Sequence, residues 1–162
     1  MRGSVRRLWL AASVEHAVLH EAASADPNET GGILLGYQTS AGRVTVVTDV
    51  RSAGPDARHS RFSFVPDYDH DEREAEEVAR QSCGVVSYVG DWHTHPGATS
   101  ATLSAKDRFT LKTIAKQSGG SLHEPVMLVV AGDWKRMLAA WQLIANVLHS
   151  RIVSIEIVRF DG

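Results

Sequence analysis

The sequence predicts an α/β fold in one domain spanning 1–162, with a mixed or largely antiparallel sheet flanked by helices. Three observations predict it. Short β-branched runs alternate with segments of helical period. The strand-like runs occur both singly between helices and in adjacent groups, which mixes crossovers with hairpins and argues against a doubly wound parallel sheet. No stretch rich in Pro, Gly and Ser is long enough to separate two domains, and 162 residues supply one full core but not two.

Taken in order, residues 5–10 read as a first strand. Ser13 is placed to cap a helix carrying Val14, Ala17, Val18 and Ala22 on one face, ending at the Asp26-Pro27-Asn28 break. Residues 31–37 (GGILLGY) and 43–50 (RVTVVTDV) are strand-like and flank turn chemistry at 39–42, a hairpin pattern. Residues 51–60 read as a polar loop, and 61–65 as a short strand stopped by Pro66. The spacing of Tyr68, Ala75, Val78, Ala79 and Cys83 predicts an amphipathic helix with acidic first turns. Residues 85–92 form a buried strand that runs into His93-Thr94-His95-Pro96. After a loop, Ser104-Ala-Lys-Asp107 opens a helix with a capping-box pattern, and Gly119-Gly120 ends it. Three more strands fall at 126–131, 136–143 and 152–160.

Composition excludes several functions. A hydrophobic fraction of 43% and a formal net charge of -2 describe a chain that folds. The same balance opposes nucleic-acid binding by bulk charge, because neutralising phosphates takes a basic face. The lone cysteine, Cys83, cannot form an internal disulfide, and a cytoplasmic setting fits. The N-terminal apolar run is interrupted by Ser13, Glu15 and His16 before it reaches signal-peptide length, and no run is long enough for a membrane helix. Eight histidines against one cysteine mean that a transition-metal site must be built from imidazole and carboxylate.

His93 and His95 are two apart at the end of a strand, so both rings can share a face. Asp107, in the first turn of the following helix, is placed to present a carboxylate beside them, although a capping box competes for the same group. Two His and one carboxylate suit a tetrahedral zinc ion with a fourth position open to water. Such a site needs a proton acceptor that is not a ligand. Glu29, just before Thr30-Gly31-Gly32, starts a strand from which it can reach a sheet end.

Glu29-Thr-Gly-Gly-Ile-Leu-Leu-Gly36, then Gly90-Asp-Trp-His93-Thr-His95-Pro96, then Ser104-Ala-Lys-Asp107, in that order, resemble the JAMM (MPN+) metalloprotease family. The combination is specific, and the likeness covers most of the chain. It implies a cytidine-deaminase-like MPN sandwich in which His93, His95 and Asp107 bind Zn²⁺. It further implies that Glu29 is the general acid/base and that Ser104 helps stabilise the oxyanion, a role compatible with capping the helix. The implied reaction is zinc-dependent hydrolysis after the C-terminal tail of a ubiquitin-like protein, as in compact bacterial members that occur with activating (E1-like) and conjugating (E2-like) proteins, including in antiphage defence. Eight residues, 96–103, separate His95 from Ser104, one more than the usual family pattern.

Other readings are a peptidase that processes a ubiquitin-fold sulfur carrier, a non-catalytic MPN scaffold, or a nucleic-acid-associated relative. The net charge and Glu29 disfavour the last. No G-x-S-x-G elbow, deaminase H-x-E with P-C-x-x-C, or phosphate-binding Gly loop is present. Cys83 is expected to be a buried helix-end residue. The acidic run at 67–77, with the His70-Asp71 pair, reads as a solvated helix face, with steering of a basic partner as the sharper option. Trp9, Trp134 and Trp141 are expected to pack in the core or on the sheet, and Trp92 to point inward, away from the histidines.

Overall fold

A computed structural model describes residues 5–39, 43–117, 124–133, 136–145 and 149–162. Its elements are β1 (Arg7–Ala11), α1 (Ala12–Ala25), β2 (Gly31–Gln38), β3 (Val44–Arg51), β4 (Arg58–Ser60), β5 (Ser63–Val65), α2 (Tyr68–Gln81), β6 (Ser87–His95), α3 (Ala105–Gln117), β7 (Val126–Ala131), β8 (Met137–Ala145) and β9 (Ser150–Phe160). The expected order is reproduced except at β4, where the end of the 51–60 loop pairs with β5. Residues 40–42 of the expected turn, the helix stop at Gly119-Gly120 and Trp134 lie outside the described residues.

The sheet is mixed, as the combination of hairpins and crossovers requires. Its strand order is β1-β3-β2-β6-β7-β8-β9, and β9 pairs back onto β1, so the sheet closes on itself. β1 runs parallel to β3 and β9, and β6 runs parallel to β7; the other neighbours are antiparallel. β7 shows why its sequence lacks alternation. Val126, Leu128 and Val130 enter the larger core with α1 and Trp92, while Met127, Val129 and Ala131 enter the smaller one with Leu111 of α3.

Three expectations need correction. α1 begins at Ala12 with Ala11 at its N-cap and no side-chain cap, so Ser13 lies inside the first turn and faces solvent. Cys83 is exposed with φ +53°, because α2 has ended at Gln81 and the chain turns away from the core there. α2 buries none of its residues fully, and Tyr68 is exposed. It is held to the sheet partly by polar groups, with Arg51 of β3 binding Glu74 at 2.8 Å. Trp9 is 39% exposed and packs against Phe160 on the sheet, and Trp141 donates to Ala101 O.

Candidate metal centre and active site

Strand alternation puts His93 and His95 on one face of β6 and Trp92 and Thr94 on the other. Trp92 is buried in the larger core and donates its Nε1–H to Arg51 O. The histidines face the side that α3 covers. The Ser104 backbone N–H donates to Asp107 Oδ2 at 2.6 Å, and the Asp107 N–H donates to Ser104 Oγ at 3.2 Å. This reciprocal cap fixes the first turn of α3 and aims the carboxylate at β6. His93 Nε2 lies 3.1 Å from Asp107 Oδ1, His95 Nε2 lies 3.4 Å from Oδ2, and the two Nε2 atoms are 2.9 Å apart.

Those three spacings test the fit of a metal. Bonds of about 2.0–2.1 Å at tetrahedral angles put neighbouring donor atoms about 3.3 Å apart. The nitrogen–oxygen spacings are close to that size, each imidazole facing its own oxygen of the carboxylate, and one donor atom from each of the three residues lies within 4.8 Å of the others, a donor set that suits a transition metal. His93 and Asp107 are 9% and 6% exposed, so both polar groups are withdrawn from water and need each other or a cation. Among the described residues, this is the one group of three or more His, Cys, Asp or Glu side chains whose donor atoms converge. Capping and convergence, which compete for Asp107 in the sequence, coexist in the structure.

Glu29 arrives from β2. Gly31 is opposite His93 in the antiparallel β2–β6 register, so Glu29, two residues earlier, shares the histidine face near His95. A side chain at 31 would fill that space: a Cβ there would stand 2.5 Å from Trp92 O, 2.8 Å from Phe64 Cε1 and 2.9 Å from His93 Cβ. Glycine at this position is what lets the two strands bring an acid and two imidazoles together.

The electrostatics follow from this packing. Burial pushes the Glu29 carboxyl above its ordinary 4.5, against the pull of His95, His93 and Lys106. Burial also opposes ionisation of Asp107, but hydrogen bonds from His93 and His95 prevail and hold it well below the usual carboxylate range. The hydrogen bond to Asp107 raises His95 above 6.5. An ionised acid is thus seated between the imidazoles, while a second acid more prone to hold a proton stands beside them.

A groove leads away from His95 and is bordered by Gly97, Ala98, Thr99, Thr102 and Ser104. Its wall is the 96–103 loop. Ala101 and Leu103 anchor that loop in the smaller core, while Gly97, Thr99 and Ser100 are exposed. Gly97 turns the loop at φ +72° and donates its N–H to Asp133 Oδ1.

All five residues singled out in the sequence meet here, together with neighbours that no sequence motif marks. Thr30 and Thr94 are 1% and 3% exposed and bond each other behind the site; the signal was a polar residue just before β2 and another on the inward face of β6. Lys106, within Ser104-Ala-Lys-Asp107, donates to Phe64 O at 3.0 Å. His59 approaches from β4, where the polar sequence of 51–60 predicts a loop.

Residues 11–144 match the family of prokaryotic homologues of the JAB domain. The chain is 37% identical over 135 residues to a probable metalloprotease of Sinorhizobium fredii, covering 83% of this chain and 82% of that protein. It is 29% identical over 136 residues to a CD-NTase/cGAS isopeptidase of Enterobacter hormaechei, covering 81% of this chain and 71% of that protein. The solution structure of a Desulfitobacterium hafniense protein superimposes with a TM-score of 0.69 at 20% identity over 96% of this chain and 94% of the other, a likeness of fold. With Glu29, His93, His95, Ser104 and Asp107 all inside the matched stretch, the chain belongs to the prokaryotic JAB-domain branch of the JAMM metalloprotease family.

Proposed function

We propose that the protein is a zinc-dependent isopeptidase or peptidase that hydrolyses the bond after the extended C-terminal tail of a ubiquitin-like protein. The carrying observation is the triangle of His93, His95 and Asp107 donor atoms beside a burial-raised Glu29. His93, His95 and Asp107 would hold the zinc ion, which would supply Lewis acidity and a water activated near neutral pH. Glu29 then accepts the proton of the attacking water and returns it to the leaving amine, which its raised pKa favours. The Ser104 hydroxyl, at the head of the groove, donates toward the oxygen on which negative charge develops.

The tail lies in the groove bordered by residues 97–104. Small and hydroxyl side chains there leave space for a narrow backbone and offer it hydrogen-bond partners. Addition of the tail to an edge of the main sheet is disfavoured, because that sheet closes on itself. Strand-like pairing would fall to the β4–β5 hairpin instead. The likeness to a CD-NTase/cGAS isopeptidase supports a protein conjugate as substrate and a bacterial conjugation system, including antiphage defence, as the setting. E1- and E2-like proteins of that system would be its partners.

The test is metal analysis of the purified chain, followed by incubation with fusions of ubiquitin-like domains to a leaving protein and mass spectrometry of the products. Zinc at one equivalent and scission directly after the tail are expected. Bound zinc without cleavage of any fusion overturns the reading in favour of a scaffold.

A further inference from the structure

Glu29 belongs to no helix or strand, since α1 ends at Ala25 and β2 begins at Gly31. A catalytic acid on a free linker would wander, yet the backbone polar groups of Glu29 and Thr30 are all engaged. The Glu29 N–H donates to Ser60 O at 2.8 Å, and Glu29 O lies 2.9 Å from His59 Nδ1. A carbonyl only accepts, so His59 must carry its proton on Nδ1 to make that bond. The Thr30 N–H donates to Thr94 Oγ1 at 2.9 Å, and the Thr94 N–H returns to Thr30 O at 2.8 Å. The Thr30 hydroxyl donates to Glu21 Oε1 at 2.9 Å.

We infer that His59 and Thr94 are positioning residues for Glu29, gripping its peptide units from opposite sides so that its carboxylate is held against the metal centre. This rests on the reading of Glu29 as the proton carrier. The two grips come from different elements. β4 holds residue 29 itself, with the His59 ring braced on Phe64 at a centroid distance of 5.3 Å. β6 holds residue 30 through Thr94, whose side chain points to the face opposite the histidines. Because Thr94 sits between His93 and His95, the acid and the imidazoles are referenced to one strand. A shift of the acid by about 1 Å is enough to cost on the order of 10²-fold in rate.

The test uses the zinc-loaded full chain and a ubiquitin-like domain fused through its glycine-ended tail to a leaving protein. Thr94→Val and His59→Ala are expected to lower kcat by roughly 10–100-fold, with KM and zinc affinity each within about threefold. Thr94→Ser and His59→Asn, which keep a bonding group in place, are expected to recover most of that loss. In the metal-free chain, Thr94→Val is expected to speed amide exchange at Thr30 by about tenfold or more while leaving β7 unchanged. Unchanged kcat in both damaging variants overturns the inference, and so does a loss that tracks weakened zinc binding or raised KM. If the parent chain cleaves no fusion, it is the functional reading that falls. The exchange measurement then decides alone, and unaltered protection of Thr30 in Thr94→Val overturns the positioning role.

Discussion

Ser104 and Asp107 cap each other across the first turn of α3, and the capping carboxylate is the same group that lies 3.1 Å from His93 Nε2. Helix stability and site geometry are thereby coupled, and two substitutions separate them. Asp107→Asn keeps an oxygen for the Ser104 N–H and is expected to lose zinc almost completely while destabilising the metal-free fold by no more than about 1 kcal/mol. Ser104→Ala loses a cap, at a cost of about 1 kcal/mol. It should retain zinc and lose on the order of 10²-fold in kcat if the hydroxyl meets the oxyanion. Calorimetry of the metal-free variants together with zinc titration checks both.

Gly31→Ala tests the close approach of β2 and β6. The added methyl meets Trp92 O, Phe64 and the His93 Cβ together, and none of these can move without disturbing the sheet or a candidate ligand. The expected result is a loss of about 1–3 kcal/mol in stability and a fall in zinc affinity, measured by denaturant unfolding and metal titration. A neutral outcome would mean that the strands have slack at the site.

The activity should have an acid limb governed by Glu29, because only its ionised form accepts a proton. Burial raises that carboxyl above 4.5, and Lys106 pulls it down. Removing the cation with Lys106→Met is therefore expected to move the acid limb of kcat to higher pH. A pH–rate profile at saturating zinc reads the shift, and an unmoved limb contradicts the assignment of the limb to Glu29.

Asp91 on β6 accepts the Tyr88 hydroxyl at 2.7 Å and feels the charge of Asp71 on α2, whose Oδ1 is buried without a partner. Burial pushes Asp91 up to about 7 and Asp71 up to about 6. Both folded-state values are raised above the ordinary 3.8, so the folded state binds more protons. Their contribution to stability is complete below about pH 4 and is lost as pH rises through about 6 and about 7. Asp91→Asn should flatten that decline, as thermal unfolding across pH 4 to 8 would show.

The elements carrying the motif were legible because local chemistry fixes them. Alternation aims His93 and His95 together, and the Ser104-to-Asp107 spacing is a helix start. β7 was legible to the residue because a short apolar run between turn signals has few other solutions. Closure of the sheet was not, since β9 meets β1 through a pairing between the chain's two ends that no local pattern encodes. Cys83 misled because its spacing continues the α2 face past the point where the helix stops. The grip on Glu29 was hidden for a related reason: His59 and Thr94 act on backbone atoms of a segment distant in sequence, and their residue types are unremarkable where they stand.

The most direct test of the account is a comparison of zinc affinity and single-turnover cleavage for the parent chain and Glu29→Gln, using a fusion with a glycine-ended ubiquitin-like tail. Zinc affinity within a fewfold of the parent and cleavage slowed by at least about 10²-fold are expected. Cleavage by Glu29→Gln at the parent rate, with equal zinc bound, would contradict it.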